Sequence, residues 1–126
     1  MEAGELYVAS VEGGVVQGVV VLNHECVDAY GDARWGIEAA PEGALIVHAL
    51  GVVPESLGQG VARFLVDAAL EVARRRGCLT VRLDTYVENI PARRLYERCG
   101  FTDLGCHTVI YQGTDLDRFH LFEYVL

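Results

Sequence analysis

The chain has 126 residues, with 10 Lys+Arg against 18 Asp+Glu for a net charge of −8; 52% of it is apolar and 22% charged. That length suits one domain around a single core, and a chain this apolar is not disordered. The acidic balance argues against nucleic acid or an anionic membrane surface as a partner. No apolar run approaches the roughly 20 residues of a membrane-spanning helix. The start carries Glu2 and Glu5 instead of the basic segment of a signal peptide, so a cytoplasmic protein is expected.

In chain order, residues 5–11 (ELYVASV) alternate as a strand does, Glu12-Gly13-Gly14 signals a tight turn, and residues 15–23 read as the returning strand. Residues 24–43 are polar and broken and predict an irregular connection, with Tyr30 and Trp35 as packing anchors or pocket-lining groups. Residues 44–53 read as a third strand, ended by Pro54. The clearest helix covers residues 59–76, where Val61, Leu65, Ala68 and Val72 recur at helical spacing. Arg74-Arg75-Arg76 complements the negative end of its dipole, and Gly77 is the expected cap. Residues 78–85 predict a fourth strand. Asn89 is the expected N-cap of a second helix, with Pro91 in its first turn and its end near Cys99. Residues 101–112 and 119–126 complete the sheet across a turn at Gly113-Thr114-Asp115. This order predicts an α/β fold, a mixed sheet with at least one β–α–β crossover. Cys26, Cys78, Cys99 and Cys106 form no C-x-x-C pair and no metal-ligand spacing, and read as reduced, packed thiols; no metal is expected.

The segment that carries chemistry is residues 50–62, LGVVPESLGQGVA. A strand ends at Pro54, and a loop bearing Gly58 and Gly60 runs straight into a helix. The glycines let the backbone approach a ligand, and the free N–H groups of the first helical turn favour an anion there. The segment is not a P-loop, because it has no Gly-Lys-Ser/Thr ending. It is not a dinucleotide fingerprint either, because Gly58-Gln59-Gly60 is followed by Val61, Ala62 and Arg63. Downstream, Asn89, Ala92 and Tyr96 form N-x-x-A-x-x-x-Y, followed by Cys99-Gly100-Phe101; Ala92 and Tyr96 share one helix face.

The two motifs, in this order and at this separation, resemble the GNAT superfamily of N-acetyltransferases over roughly residues 45–104. Leu57-Gly58-Gln59-Gly60-Val61-Ala62 corresponds to the family's Gln/Arg-x-x-Gly-x-Gly/Ala loop, and the residue 50–54 run to the strand before it. The resemblance implies a mostly antiparallel central sheet with two splayed parallel strands, here residues 44–53 and 78–85, flanked by helices. It implies acetyl-CoA in the gap between those strands, with the backbone around Leu50, Gly51 and Val52 pairing with the pantetheine arm. The amides of Gly58 to Ala62 would hold the pyrophosphate, Asn89 and Ala92 would contact the pantetheine side, and Tyr96 would face the thioester sulfur.

On this reading a primary amine of a small molecule or peptide attacks the thioester directly, a backbone N–H of the 50–52 strand meets the oxyanion, and Tyr96 protonates the leaving thiolate. His48 is the candidate base, since histidine changes charge near neutral pH and residues 48, 50 and 52 would share one strand face. Asp84 and Glu88 are possible acceptor contacts. His24, His107 and His120 have no motif support.

The chain departs from the family pattern in two places. Leu57 stands where Arg or Gln is usual, which removes a side-chain contact to phosphate. The usual opening strand and two helices, which wall the acceptor pocket in the family, are missing ahead of the first hairpin, so the sequence is a truncated gene or domain fragment, the site is unusually open, or a second subunit supplies the wall. A homodimer is the favoured reading. The alternative function is a non-catalytic acyl-CoA-binding or protein-interaction module; an unrelated α+β domain is a third reading.

Overall fold

The computed structural model describes residues 5–10, 16–24, 35–54, 58, 60–109, 113 and 117–126. Its elements are β1 (Glu5–Ser10), β2 (Val16–Asn23), β3 (Ala44–Val52), α1 (Val61–Arg75), β4 (Thr80–Tyr86), α2 (Ile90–Arg98), β5 (Thr102–Thr108) and β6 (Arg118–Val125), with a 3-10 turn at Pro41–Gly43. The strands form one six-stranded sheet in the order β1-β2-β3-β4-β6-β5. Every neighbouring pair is antiparallel except β3 and β4, which α1 joins as a crossover. The expected mixed, mostly antiparallel α/β sheet is present. The turn expected at residues 12–14, Cys26 and Tyr30 lie outside the described residues.

Several boundaries moved for identifiable reasons. β4 begins at Thr80 and not at 78, because Gly77 and Cys78 finish α1. Gly77, at φ 71, donates to the carbonyl of Arg74 at 3.1 Å, and Cys78 donates to that of Ala73 at 2.9 Å. This is the Schellman closure, and it needs glycine at the left-handed position. β5 ends at Thr108, and the part of the expected strand at residues 110–112 lies outside the described residues. α1 buries Val61, Leu65, Ala69 and Ala73 in a line, with the expected Ala68 and Val72 half-buried on its flank.

Both helices lie on one face of the sheet. Leu65, Val66 and Leu70 of α1 and Tyr96 of α2 join Val20, Leu22, Leu45, Val47, Val81, Leu83 and Phe122 in one core. Each such Leu, Val or Phe contributes about 1.5–3 kcal/mol when buried. α1 sits close because β2 offers Gly18: a Cβ there would fall 2.8 Å from the Gly51 carbonyl oxygen and 2.9 Å from Leu65 Cδ1.

The other face carries a smaller cluster of Ala44, Ile46, Val109, Phe119 and Leu121, covered in part by Trp35 and Ala39. An ion pair fastens that cover. Arg82 and Glu123, directly opposite on β4 and β6, join at 3.0 Å and are both buried. Arg82 also donates to the Ile37 carbonyl at 2.6 Å and lies 4.3 Å from the centre of the Trp35 ring, while Glu123 accepts from the Gly36 N–H at 2.7 Å and from Thr80 Oγ1 at 2.9 Å. Trp35 is therefore a packing anchor. The expectation of packed thiols holds for Cys78, but Cys99 is half-buried and Cys106 exposed. Cys106 follows Gly105, which is at φ 93, at an irregularity in β5. Among the described residues no helix is long and apolar enough to cross a membrane.

Candidate active site

β3 and β4 pair only from Ala44–Thr80 to Val47–Leu83. Beyond that point each strand follows its other neighbour. β3 continues along β2 to Val52, and β4 continues along β6 to Tyr86. A gap opens between them inside the sheet, and its edges carry backbone donors and acceptors that the parted strands no longer offer each other.

A bulge marks the parting. Val21 opposes Ala49 and Leu22 opposes Val47, so His48 is an extra residue in β3. The bulge shifts the strand's alternation by one. Leu45 and Val47 belong to the helix-side core, and so do Leu50 and Val52. His48 instead meets Asn23, whose strand partner Ile46 belongs to the opposite cluster. The expectation that residues 48, 50 and 52 share one face is therefore wrong, because it assumed an unbroken period of two.

A cavity of about 670 Å³ occupies the gap. That is the size of a small-molecule or cofactor site. His48, Asp84 and Tyr86 line it from one face of the sheet, and Leu50 and Val52 from the other. Gly58, Gly60, Val61 and Ala62 line it at the start of α1, and Asn89, Ala92 and Tyr96 along α2. Most of the residues singled out in the sequence are thus brought together. Gly51 lies on β3 between two lining residues without lining the cavity itself, and Leu57 and Gln59 lie outside the described residues.

The mouth of α1 is built to leave space. Gly58 and Gly60 both sit at φ 80, and a Cβ on either would meet no atom within 4 Å. Gly60 is the N-cap and supplies no side chain, so the first-turn amides are uncapped. Such a cradle fits a diphosphate, drawn in by the helix dipole. Arg63 and Arg98 also line the cavity. They add positive charge at this end, and the motif reading passed over them. At the other end stand Asp84 and Tyr86, whose hydroxyl donates to Glu88 Oε2 at 2.8 Å.

Tyr96 is held by the end of its own helix. Gly100, at φ 95, donates to the Glu97 carbonyl at 3.0 Å, and Phe101 donates to that of Tyr96 at 3.0 Å. The Schellman closure brings Phe101 back onto Tyr96, ring edge to ring face, with centroids 5.8 Å apart. The Cys99-Gly100-Phe101 triplet is thus the clamp that aims the tyrosine. Burial pushes the Tyr96 hydroxyl up to about 12, with the nearby Cys99 and Asp84 adding to the shift. Burial also raises the Cys99 thiol. Asn89 caps α2, its Oδ1 accepting from the Ala92 N–H at 3.3 Å. No group of His, Cys, Asp and Glu among the described residues is arranged to hold a metal.

A sheet opened between its two parallel strands, with an uncapped glycine mouth aimed into the opening, is an architecture for an extended, phosphate-bearing ligand. Residues 2–101 match the Acetyltransferase (GNAT) family, and the chain belongs to it. A stretch of 61 residues is 46% identical to the mycothiol acetyltransferase of Beutenbergia cavernae, spanning 48% of this chain and 20% of that relative. The crystal structure of a nourseothricin acetyltransferase superposes with a TM-score of 0.75 at 30% identity, over 98% of this chain and 65% of that one. A Bacillus subtilis acetyltransferase in complex with CoA shares the fold, with a TM-score of 0.73 at 20% identity over 100% of this chain and 79% of that one.

Proposed function

We propose that the chain is an acetyl-CoA-dependent N-acetyltransferase acting on a primary amine of a small molecule or peptide. The observation that carries this reading is the meeting of the α1 mouth, the parted strands and Tyr96 in one cavity. The relatives named for mycothiol and nourseothricin support a small-molecule acceptor.

Acetyl-CoA, when bound, supplies an acetyl group activated as a thioester. The amides from Gly58 to Ala62 hold the diphosphate, and the backbone at Leu50 and Val52 faces the pantetheine arm. Asp84 attracts the positive charge of the acceptor amine. His48 takes a proton from that ammonium, freeing the lone pair for attack. Tyr96 meets the departing sulfur. A thiol titrates near 8.5 and burial pushes the Tyr96 hydroxyl up to about 12, so in place of the proton transfer expected from the sequence the tyrosine donates a hydrogen bond to the thiolate and keeps its own proton. The ammonium loses two protons in all: His48 passes the first to solvent before attack, and the second, still on the nitrogen of the tetrahedral intermediate, moves to the thiolate as the C–S bond breaks.

The test is CoA release with a panel of primary amines. Tyr96→Phe is expected to lower kcat about thirtyfold, the worth of one hydrogen bond to a charged group. Turnover unaffected by that change removes Tyr96 from the reaction. CoA binding without turnover of any amine points to the non-catalytic acyl-CoA-binding module instead.

A further inference from the structure

His48 has two ring nitrogens, and the bulge decides which of them is free. A bulged residue is turned off the ladder and its side chain re-aimed. Here the ring meets the β2 terminus, and Nε2 is engaged by Asn23 Oδ1. Asn23 is 1% exposed and is held in register opposite Ile46. A carboxamide oxygen only accepts, so Nε2 carries the hydrogen and the neutral ring keeps its lone pair on Nδ1.

We infer that Asn23 is a positioning residue: it locks His48 in the Nε2–H tautomer and so assigns proton removal from the acceptor amine to Nδ1. The inference rests on the N-acetyltransferase reading. The neighbouring His24 is committed elsewhere. Its Nδ1 lies 3.1 Å and 3.0 Å from the carbonyls of Pro41 and Ala44, and its Nε2 3.1 Å from Arg76. Among the described residues, the charged groups sharing the cavity with His48 are Asp84 on β4, Arg63 on α1 and Arg98 on α2. Arg63 and Arg98 carry donors only, and the contact to Nε2 comes from Asn23 on β2.

The first test is independent of turnover. Ring-nitrogen NMR of the neutral ring, with the His48 signals identified by their loss in His48→Gln, is expected to show a protonated Nε2 and a bare Nδ1. A protonated Nδ1 overturns the proposal. The second test uses Asn23→Asp, which keeps the acceptor oxygen and adds charge. It is expected to move the acid limb of the kcat/KM profile up by about one pH unit, because a carboxylate favours the protonated ring.

Asn23→Leu, checked for folding by its melting curve, is expected to lose the tautomer preference. It should lower kcat about tenfold with KM for acetyl-CoA unchanged. An unmoved limb in Asn23→Asp overturns the proposal even if Asn23→Leu fails to fold. If wild-type protein turns over no amine, the enzymatic reading falls, and the tautomer measurement still decides the role of Asn23.

Discussion

The two helices begin in opposite ways. α2 starts conventionally: Asn89 caps it through its side chain and Pro91 sits in the first turn. α1 starts at Gly60 in a left-handed conformation with no capping side chain. A missing cap costs about 1 kcal/mol. α1 offsets that loss with six buried side chains, whereas α2 buries only Tyr96. The longer and better-packed helix can do without a capping side chain, and its first-turn residues line the cavity. The short helix has little packing to spare and is closed by its own asparagine.

Making α1 resemble α2 gives the largest expected effect. Gly60→Asp places a capping carboxylate at a φ of 80, where a Cβ has room but the backbone is strained by about 1–2 kcal/mol. The carboxylate would occupy and repel the anion seat. Acetyl-CoA affinity measured by calorimetry is expected to fall about a hundredfold, while the protein stays folded. Unchanged affinity means that the diphosphate does not sit there.

The opposite change strips α2 of its cap. Asn89→Ala is expected to lower the melting temperature by about 3–6 °C, equivalent to about 1 kcal/mol at this chain length. Its effect on acetyl-CoA affinity should be only a few-fold. A loss of affinity as large as that of Gly60→Asp would mean that both helix starts serve the ligand equally.

The smallest effect concerns alkaline stability. The Tyr96 hydroxyl titrates near 12 in the folded protein and near 10 when unfolded, so the unfolded chain releases its proton first. The stability linked to Tyr96 is whole below about pH 10 and is lost as pH rises from about 10 through 12. Cys78 and Cys99, also raised by burial, add a decline of the same sign that sets in at lower pH, from the ordinary thiol range upward. Urea unfolding of Tyr96→Phe should show a shallower fall across that window than wild type. An identical slope would show that the tyrosine is not shielded from water in the folded state.

Most of the fold could be read from the residues because its signals are local. Asn89, Pro91, Gly77 and Gly100 each mark a helix end through their own backbone or side-chain chemistry, and all four do so in the structure. The face of His48 could not be read. ALIVHALGV is almost wholly apolar, so no polar alternation reveals where the period slips, and a bulge is defined by the partner strand. Asn23 was missed for a related reason: at the end of an apolar strand it looks like a turn residue. Arg82 and Glu123 did leave a signal, each a charge between apolar neighbours in its strand, but their pairing depends on the β4–β6 register. Arg63 and Arg98 read as solvated helix charges, and only the tertiary arrangement brings both to the cavity.

The join between Arg82 and Glu123 sets a rule for anyone reshaping the far side of the sheet. The stretch from Trp35 to Ile37 hangs from those two side chains. Replacing one alone would strand an ionised group without water, at a cost of about 3–5 kcal/mol, whereas replacing both with matched apolar residues can be nearly neutral. Loop grafts between residues 35 and 40 should therefore keep the pair intact or exchange it as a unit. A library that varies either position singly would be screened for solubility long before it was screened for a new acceptor.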